Sequence, residues 1–211
     1  MSIEGSITAL VTPMNEKGDL DYNSLEKLIN FQIDSGISGL VAVGTTGESA
    51  TIDFEDHIKL IEFFIKISNG RVHIIAGTGA NSTEEALHLT REAKNLGADA
   101  ALLVSPYYNK PPQEGIYRHH AKIADEVDIP QILYNVPSRT ASFIEPETVK
   151  RLSSHQNILG IKDATGDMKN LSEVLKLCEE DIKSKNFFLY SGDDFSSLEF
   201  LKKGGHGTIS V

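Results

Sequence analysis

One lysine stands apart from the rest. Of the fifteen in the chain, fourteen lie in helical, loop or charged contexts such as Lys202-Lys203. Only Lys162 ends an apolar run, Asn157-Ile-Leu-Gly-Ile-Lys162. Alternation along a strand predicts that Ile158, Gly160 and Lys162 share one face, with the glycine leaving room beneath the amine. A strand-end lysine ordinarily reaches for solvent, but a desolvated one is a nucleophile. At its reference pKa only about 0.04% of a lysine is neutral at pH 7. Lowering the pKa by about three units raises that to roughly 30%, at a cost of about 4 kcal/mol in lost charge solvation. An amine so placed can attack a carbonyl and form a Schiff base.

The surrounding residues suit that chemistry. Tyr134 ends the preceding apolar run, Gln131-Ile-Leu-Tyr134. Adjacent strand ends lie roughly 5 Å apart, so its phenol can move protons to and from an imine; taken alone, it reads equally well as a core aromatic. In Gly44-Thr45-Thr46-Gly47-Glu48 two hydroxyls are flanked by glycines, a turn that can present donors to a carboxylate or simply open a helix. Arg139, one of five arginines, sits in Pro137-Ser-Arg139-Thr140, where its fork suits a carboxylate. Ser105-Pro-Tyr107-Tyr108-Asn-Lys-Pro-Pro112 reads as a rigid aromatic loop for an interface or lid. The seven histidines show no HExxH pattern or carboxylate clustering, so no catalytic metal is expected and the chemistry is that of an imine-forming aldolase.

These residues need a scaffold that brings strand ends together. Short apolar runs occur at Ser6–Val11, Gly39–Val43, Val72–Ala76, Ala98–Val104, Gln131–Val136, Ile158–Lys162, Phe187–Ser191 and Gly207–Val211. Such nearly continuous runs fit parallel strands buried on both faces. Helical spacing fills the intervals: Leu25, Leu28, Ile29, Gln32 and Ile33, with Gln32 the polar exception, and Leu171, Val174, Leu175 and Cys178. Ser82 with Glu85 predicts a helix over Ser82–Leu96, Gly36 and Gly97 predict helix ends, and Pro146 predicts a helix start. Eight strands and seven helices make (βα)₇β, and right-handed crossovers let it close. The fold class expected is α/β, a TIM (β/α)8 barrel, with active-site residues at the C-terminal strand ends. A doubly wound sheet is the alternative, but Gly77-Thr-Gly79-Ala-Asn-Ser82 lacks the third glycine of a dinucleotide fingerprint. The chain of 211 residues falls short of the ~250 typical of this barrel. We therefore expect a single domain over residues 1–211, truncated after strand 8, with apolar surface on strands 8 and 1 left facing water.

Composition narrows the class. The chain is 40% apolar and 24% charged, which excludes disorder, collagen and coiled coil. Thirty acidic residues against 20 basic give a net charge of −10, which argues against nucleic acid as a partner. No apolar run nears the roughly 20 residues of a membrane span. The opening MSIEGSITALV lacks a basic n-region, so no signal peptide is expected. The single cysteine, Cys178, excludes an internal disulfide framework, and a cytoplasmic location is expected.

Taken in order, GTTGES (44–49), AGTGAN (76–81), PYYNKP (106–111), YNVPSRT (134–140), GIKDATG (160–166) and GGHGTISV (204–211) closely resemble the dihydrodipicolinate synthase family of pyruvate-dependent class I aldolases. The resemblance runs over the whole chain. It implies a lyase that needs no cofactor, condensing pyruvate with L-aspartate 4-semialdehyde on the way to diaminopimelate and lysine. It implies that Lys162 forms the Schiff base and that Thr45 and Thr46 bind the pyruvate carboxylate. Arg139 would hold the aldehyde substrate's carboxylate, and the Ile209 carbonyl would help orient the substrate. Tyr134, Thr45 and Tyr108 would form a proton relay, with Tyr108 supplied by the neighbouring subunit of a tight dimer. A homo-oligomer, a dimer of dimers, is expected. Ser49, Ala50, His57, Asn81, Glu85 and Tyr107 match a site where lysine inhibits many members. Phe54 stands where lysine-sensitive relatives can carry histidine, and Asp163 where glutamate is more usual. A sugar-acid aldolase like N-acetylneuraminate lyase, and an inactive truncated fragment, are the alternative readings.

Overall fold

The computed structural model describes residues 3–211. Eight strands, β1 (Gly5–Ala9), β2 (Gly39–Ala42), β3 (His73–Gly77), β4 (Ala100–Val104), β5 (Gln131–Asn135), β6 (Ile158–Asp163), β7 (Phe188–Ser191) and β8 (Gly207–Ser210), form one closed barrel in sequence order. All neighbouring pairs are parallel. β8 closes onto β1, with Ile209 opposite Ile7. The barrel expected from the βα alternation is therefore present, and each strand overlaps its expected run.

Nine helices lie among the described residues: α1 (Tyr22–Asp34), α2 (Phe54–Ser68), α3 (Thr83–Leu96), α4 (Gln113–Glu126), α5 (Pro137–Thr140), α6 (Pro146–Ser153), α7 (Met168–Leu177), α8 (Glu179–Lys183) and α9 (Ser197–Lys202). Two more occur than the seven expected. α5 and α8 are four and five residues long, too short to show a helical period. The end signals hold. Ser82 accepts from the Glu85 N–H at α3, Gly97 closes that helix at φ +94°, and Pro146 opens α6.

Side chains divide into a barrel interior and a helix-facing layer. The interior holds Ile7, Val41, Ile75, Leu102, Ile132, Tyr134, Leu159, Phe188, Tyr190 and Ile209. Outside the barrel, Leu40, Ala42 and Ile74 pack with residues of α1 and α2, and Leu133, Ile161 and Leu189 with residues of α4, α6 and α7. Gln32, the polar exception on α1, accepts a 2.8 Å hydrogen bond from the Thr8 hydroxyl on β1. This hydrogen bond ties α1 to β1 and accounts for the one polar residue on the helix's inward stripe.

The structure corrects two expectations. Opposite β5, the register of β6 jumps from Gln131–Ile158 to Ile132–Gly160. This bulge turns Leu159 into the barrel, while Ile158 stays in the helix-facing layer. Of the three residues expected on one face, Gly160 and Lys162 share it, and Ile158 does not. The apolar surface expected on strands 8 and 1 is confined to the ends of those runs, at the exposed Val11 and Val211. Along the strands, Ser6, Thr8, Thr208 and Ser210 line a groove of about 330 Å³ with Ile7, Asp194, Ser197 and Val211. Hydroxyl side chains meet water there.

Candidate active site

The centre of the site follows from strand register. Tyr134 on β5 is paired with Lys162 on β6, and Lys162 in turn with Tyr190 on β7. The lysine thus has a tyrosine on each side. The Tyr190 hydroxyl donates to the Ile3 carbonyl at 2.8 Å and is fully buried, so that phenol is committed to structure. Tyr134 lies under the amine instead, with the Lys162 Nζ 4.2 Å from its ring centroid.

Lys162 is 6% exposed. Burial pushes its pKa down to about 8, the Asp194 carboxylate opposes that fall, and the Arg139 charge adds to it. A lysine with that pKa is neutral about one time in ten at pH 7, a gain of more than a hundredfold over a solvated one. Burial also raises the pKa of the Tyr134 phenol, against the charge of Arg139 and a side-chain hydrogen bond with Thr45. The phenol therefore keeps its proton and can donate it.

Loops after β2, β4 and β5 carry the other expected residues. Thr45 is exposed and Thr46 half-buried, in a turn closed by Glu48 N–H to the Thr45 carbonyl at 3.1 Å. The Thr12 hydroxyl holds that turn through the Gly47 carbonyl at 2.7 Å. A side-chain carbon at Gly47 would lie 3.1 Å from Leu10, Thr12 and Val43 atoms, so glycine lets the turn sit down on the barrel rim. Val43, just before it, has φ +54°, a strained value for a β-branched residue. Arg139 projects from α5 and is exposed. The Tyr108 N–H donates to the Thr140 carbonyl at 3.2 Å, which ties the aromatic loop to the Arg139 turn. Ile209 is fully buried in the barrel interior.

Not every expected residue joins the centre. Tyr108 is 89% exposed with φ +73° and is not packed against the buried amine. Ser49, Ala50, His57, Glu85 and Tyr107 line a cavity of about 400 Å³, together with Phe54, Thr45 and Arg139. Lys162 is not on its wall, but the cavity is lined by Arg139, whose charge acts on Lys162, and by Thr45, which bonds to Tyr134. Asn81 is held at its edge, its amide donating to the Tyr107 carbonyl at 3.3 Å. His57 is buried and its Nε2 lies 2.7 Å from the Gly77 carbonyl; burial lowers its pKa, with that contact opposing. Among the described residues no group of three His, Cys, Asp or Glu is placed to hold a metal ion.

Two residues escaped sequence reasoning. Asp194 acts on the charge of Lys162 from the loop after β7, and Gly192 packs against the stem of the lysine. Their only sequence signal was position, Ser191-Gly-Asp-Asp194 at a C-terminal strand end.

Comparison with known proteins fits this geometry. The model of the dihydrodipicolinate synthetase family matches residues 2–211. The 4-hydroxy-tetrahydrodipicolinate synthases of Alcanivorax borkumensis and Pseudomonas putida are each 56% identical over 209 residues, 99% of this chain and 69% and 70% of theirs. The crystal structure of the chloride-inhibited dihydrodipicolinate synthase from Acinetobacter baumannii, complexed with pyruvate, superposes with a TM-score of 0.94 at 50% identity, covering 100% of this chain and 70% of that one. The Aquifex aeolicus enzyme superposes with a TM-score of 0.94 at 48% identity, covering 99% and 69%. With a buried amine over a phenol at the mouth of a closed barrel, and with likeness along almost its whole length, the chain belongs to the dihydrodipicolinate synthetase family.

Proposed function

We propose that Lys162 captures pyruvate as a Schiff base and that the resulting enamine condenses with L-aspartate 4-semialdehyde, giving 4-hydroxy-tetrahydrodipicolinate. One observation carries this reading: a lysine amine 4.2 Å over a buried tyrosine ring, with its pKa brought down to about 8.

The neutral amine attacks the ketone carbon of pyruvate, and the carbonyl oxygen takes a proton to give a carbinolamine. Tyr134 supplies a proton to that hydroxyl, water leaves and the imine forms. The Tyr134 phenolate then takes a methyl proton to give the enamine, whose carbon attacks the aldehyde of the second substrate. Transimination and ring closure then free the lysine. Thr45 and Thr46 would bind the pyruvate carboxylate, and the Ile209 carbonyl would help orient the substrate. Arg139 would pair with the carboxylate of the aldehyde substrate, for which its fork and exposure are suited. Tyr108 would complete the relay in a neighbouring subunit, a role its exposure suits. The assembly would then be a homo-oligomer built from tight dimers and working in the cytoplasm. Ser49, Ala50, His57, Asn81, Glu85 and Tyr107 would form a lysine-binding inhibitory site beside the catalytic one, with Phe54 on its wall weakening the response.

The test is borohydride reduction in the presence of pyruvate, followed by peptide mass spectrometry. A pyruvate-derived mass is expected on Lys162. An adduct elsewhere, or none, removes the mechanism.

A further inference from the structure

Gly192 follows the last residue of β7, and its N–H donates to the Asp163 carbonyl at 2.7 Å, completing the β6–β7 ladder at its Ser191–Asp163 end. Its φ is not in the positive range, so nothing in the backbone excludes an L side chain there. What excludes one is Lys162. A side-chain carbon at Gly192 would stand 2.6 Å from the Lys162 Cε and 3.0 Å from its Cγ, with the Ala164 Cβ also at 3.0 Å. The stem of the lysine thus lies against bare backbone on the β7 side, while Tyr134 lies under its Nζ on the β5 side.

We propose that Gly192 is a positioning residue for Lys162: its missing side chain leaves the slot in which the lysine stem rests, and so sets the amine over the Tyr134 ring. The inference rests on the imine-forming reading of Lys162. Carbon atoms in comfortable contact sit about 3.5–4.0 Å apart, so alanine at 192 must push the stem away by about an ångström. The atoms that give way belong mainly to the end of a flexible side chain, so the barrel keeps its fold and the amine loses its place. A misplacement of that size costs an enzyme up to ~100-fold in rate. A stem pushed out of its slot also loses the close packing that keeps the amine dry, so its pKa returns toward the ordinary lysine range.

The experiment compares the wild-type chain with Gly192→Ala, each mixed with pyruvate and reduced with borohydride over a time course between pH 6 and 10. The adduct on the Lys162 peptide is quantified by mass spectrometry, and thermal unfolding is measured alongside. Trapping at pH 7 should be about 10- to 100-fold slower in Gly192→Ala, with its pH midpoint moved up and the unfolding temperature little changed. A merely structural role for the glycine would leave the midpoint in place. Equal rates and equal midpoints would overturn the inference. Should Gly192→Ala fold poorly, adding Gly192→Ala to a Lys162→Ala background decides: little further loss of stability beyond Lys162→Ala alone supports a clash with the lysine, and a loss as large as in the wild-type background overturns it. A wild-type chain that gives no adduct on Lys162 would overturn the imine reading, and this inference with it.

Discussion

A buried amine is costly to the fold that holds it, and Lys162 makes that cost measurable. Its folded pKa of about 8 lies below its ordinary value of 10.5, so between those values the unfolded chain binds more protons than the folded one. Stability from this group therefore rises as pH rises through that window and is lowest below it. The shift corresponds to about 3 kcal/mol. Lys162→Met, which keeps the length of the stem, should be more stable than wild type by up to that amount at pH 7 while trapping no pyruvate. The gain should fade toward pH 10.5, and urea unfolding of both proteins at several pH values checks it. Lys162, Tyr134 and Arg139 were all legible from position, because in a βα series the C-terminal end of each strand and the loop after it face one mouth. Tyr190, on the other side of Lys162 from Tyr134, was not foreseen. Both are strand tyrosines adjacent to Lys162 in register, and only the hydrogen bond to the Ile3 carbonyl sets Tyr190 aside.

At the scale of the element, β6 carries the site and its irregularity shapes it. The bulge opposite Ile132 reverses the facing of Ile158 and Leu159 but leaves Gly160 and Lys162 together. Strict alternation could not foresee it; the one local signal was Gly160, since a glycine inside a strand often marks a bulge. Gly160 serves a different purpose from the one its sequence position suggests. A side-chain carbon there would fall 2.2 Å from the Phe188 carbonyl oxygen, so the glycine lets β7 approach β6. Here the obstacle is backbone, which cannot swing aside. Gly160→Ala should cost about 3 kcal/mol, the upper end of what overpacking usually costs, measured as a drop in the urea midpoint. Its contrast with Gly192→Ala is direct: one glycine is needed by the strands, the other by a side chain.

At the scale of the whole molecule, the shell around the barrel holds its own titratable weakness. His119 and His120 on α4 are buried, their rings 5.0 Å apart. Thr83 of α3 meets the His119 Nδ1 at 2.8 Å, while the other ring nitrogens of the pair have no hydrogen-bond partner. Burial lowers the pKa of His119 to about 4, and burial with the neighbouring His119 lowers that of His120. Both fall below the ordinary 6.5, so the unfolded chain takes up protons first as pH drops. Stability present above pH 6.5 should be lost toward pH 4, by about 3 kcal/mol for His119 alone. His120→Leu removes two unpaired buried nitrogens and should raise the melting temperature at pH 7 while flattening the acid limb, as followed by circular dichroism.

The chain declares its periodicities, and those are enough for the barrel. Apolar runs alternating with helical spacing leave few ways to bury both faces of eight parallel strands, and the strand ends then mark the mouth. Contacts between residues far apart in sequence are another matter. The slot at Gly192, the bulge at Leu159, the hydroxyl face of β1 and β8, and the cavity lined by Thr45 and Arg139 arise where separate segments meet at distances of a few ångströms. No local pattern encodes such distances, because each depends on how the ring of strands closes and how far each is sheared against its neighbour.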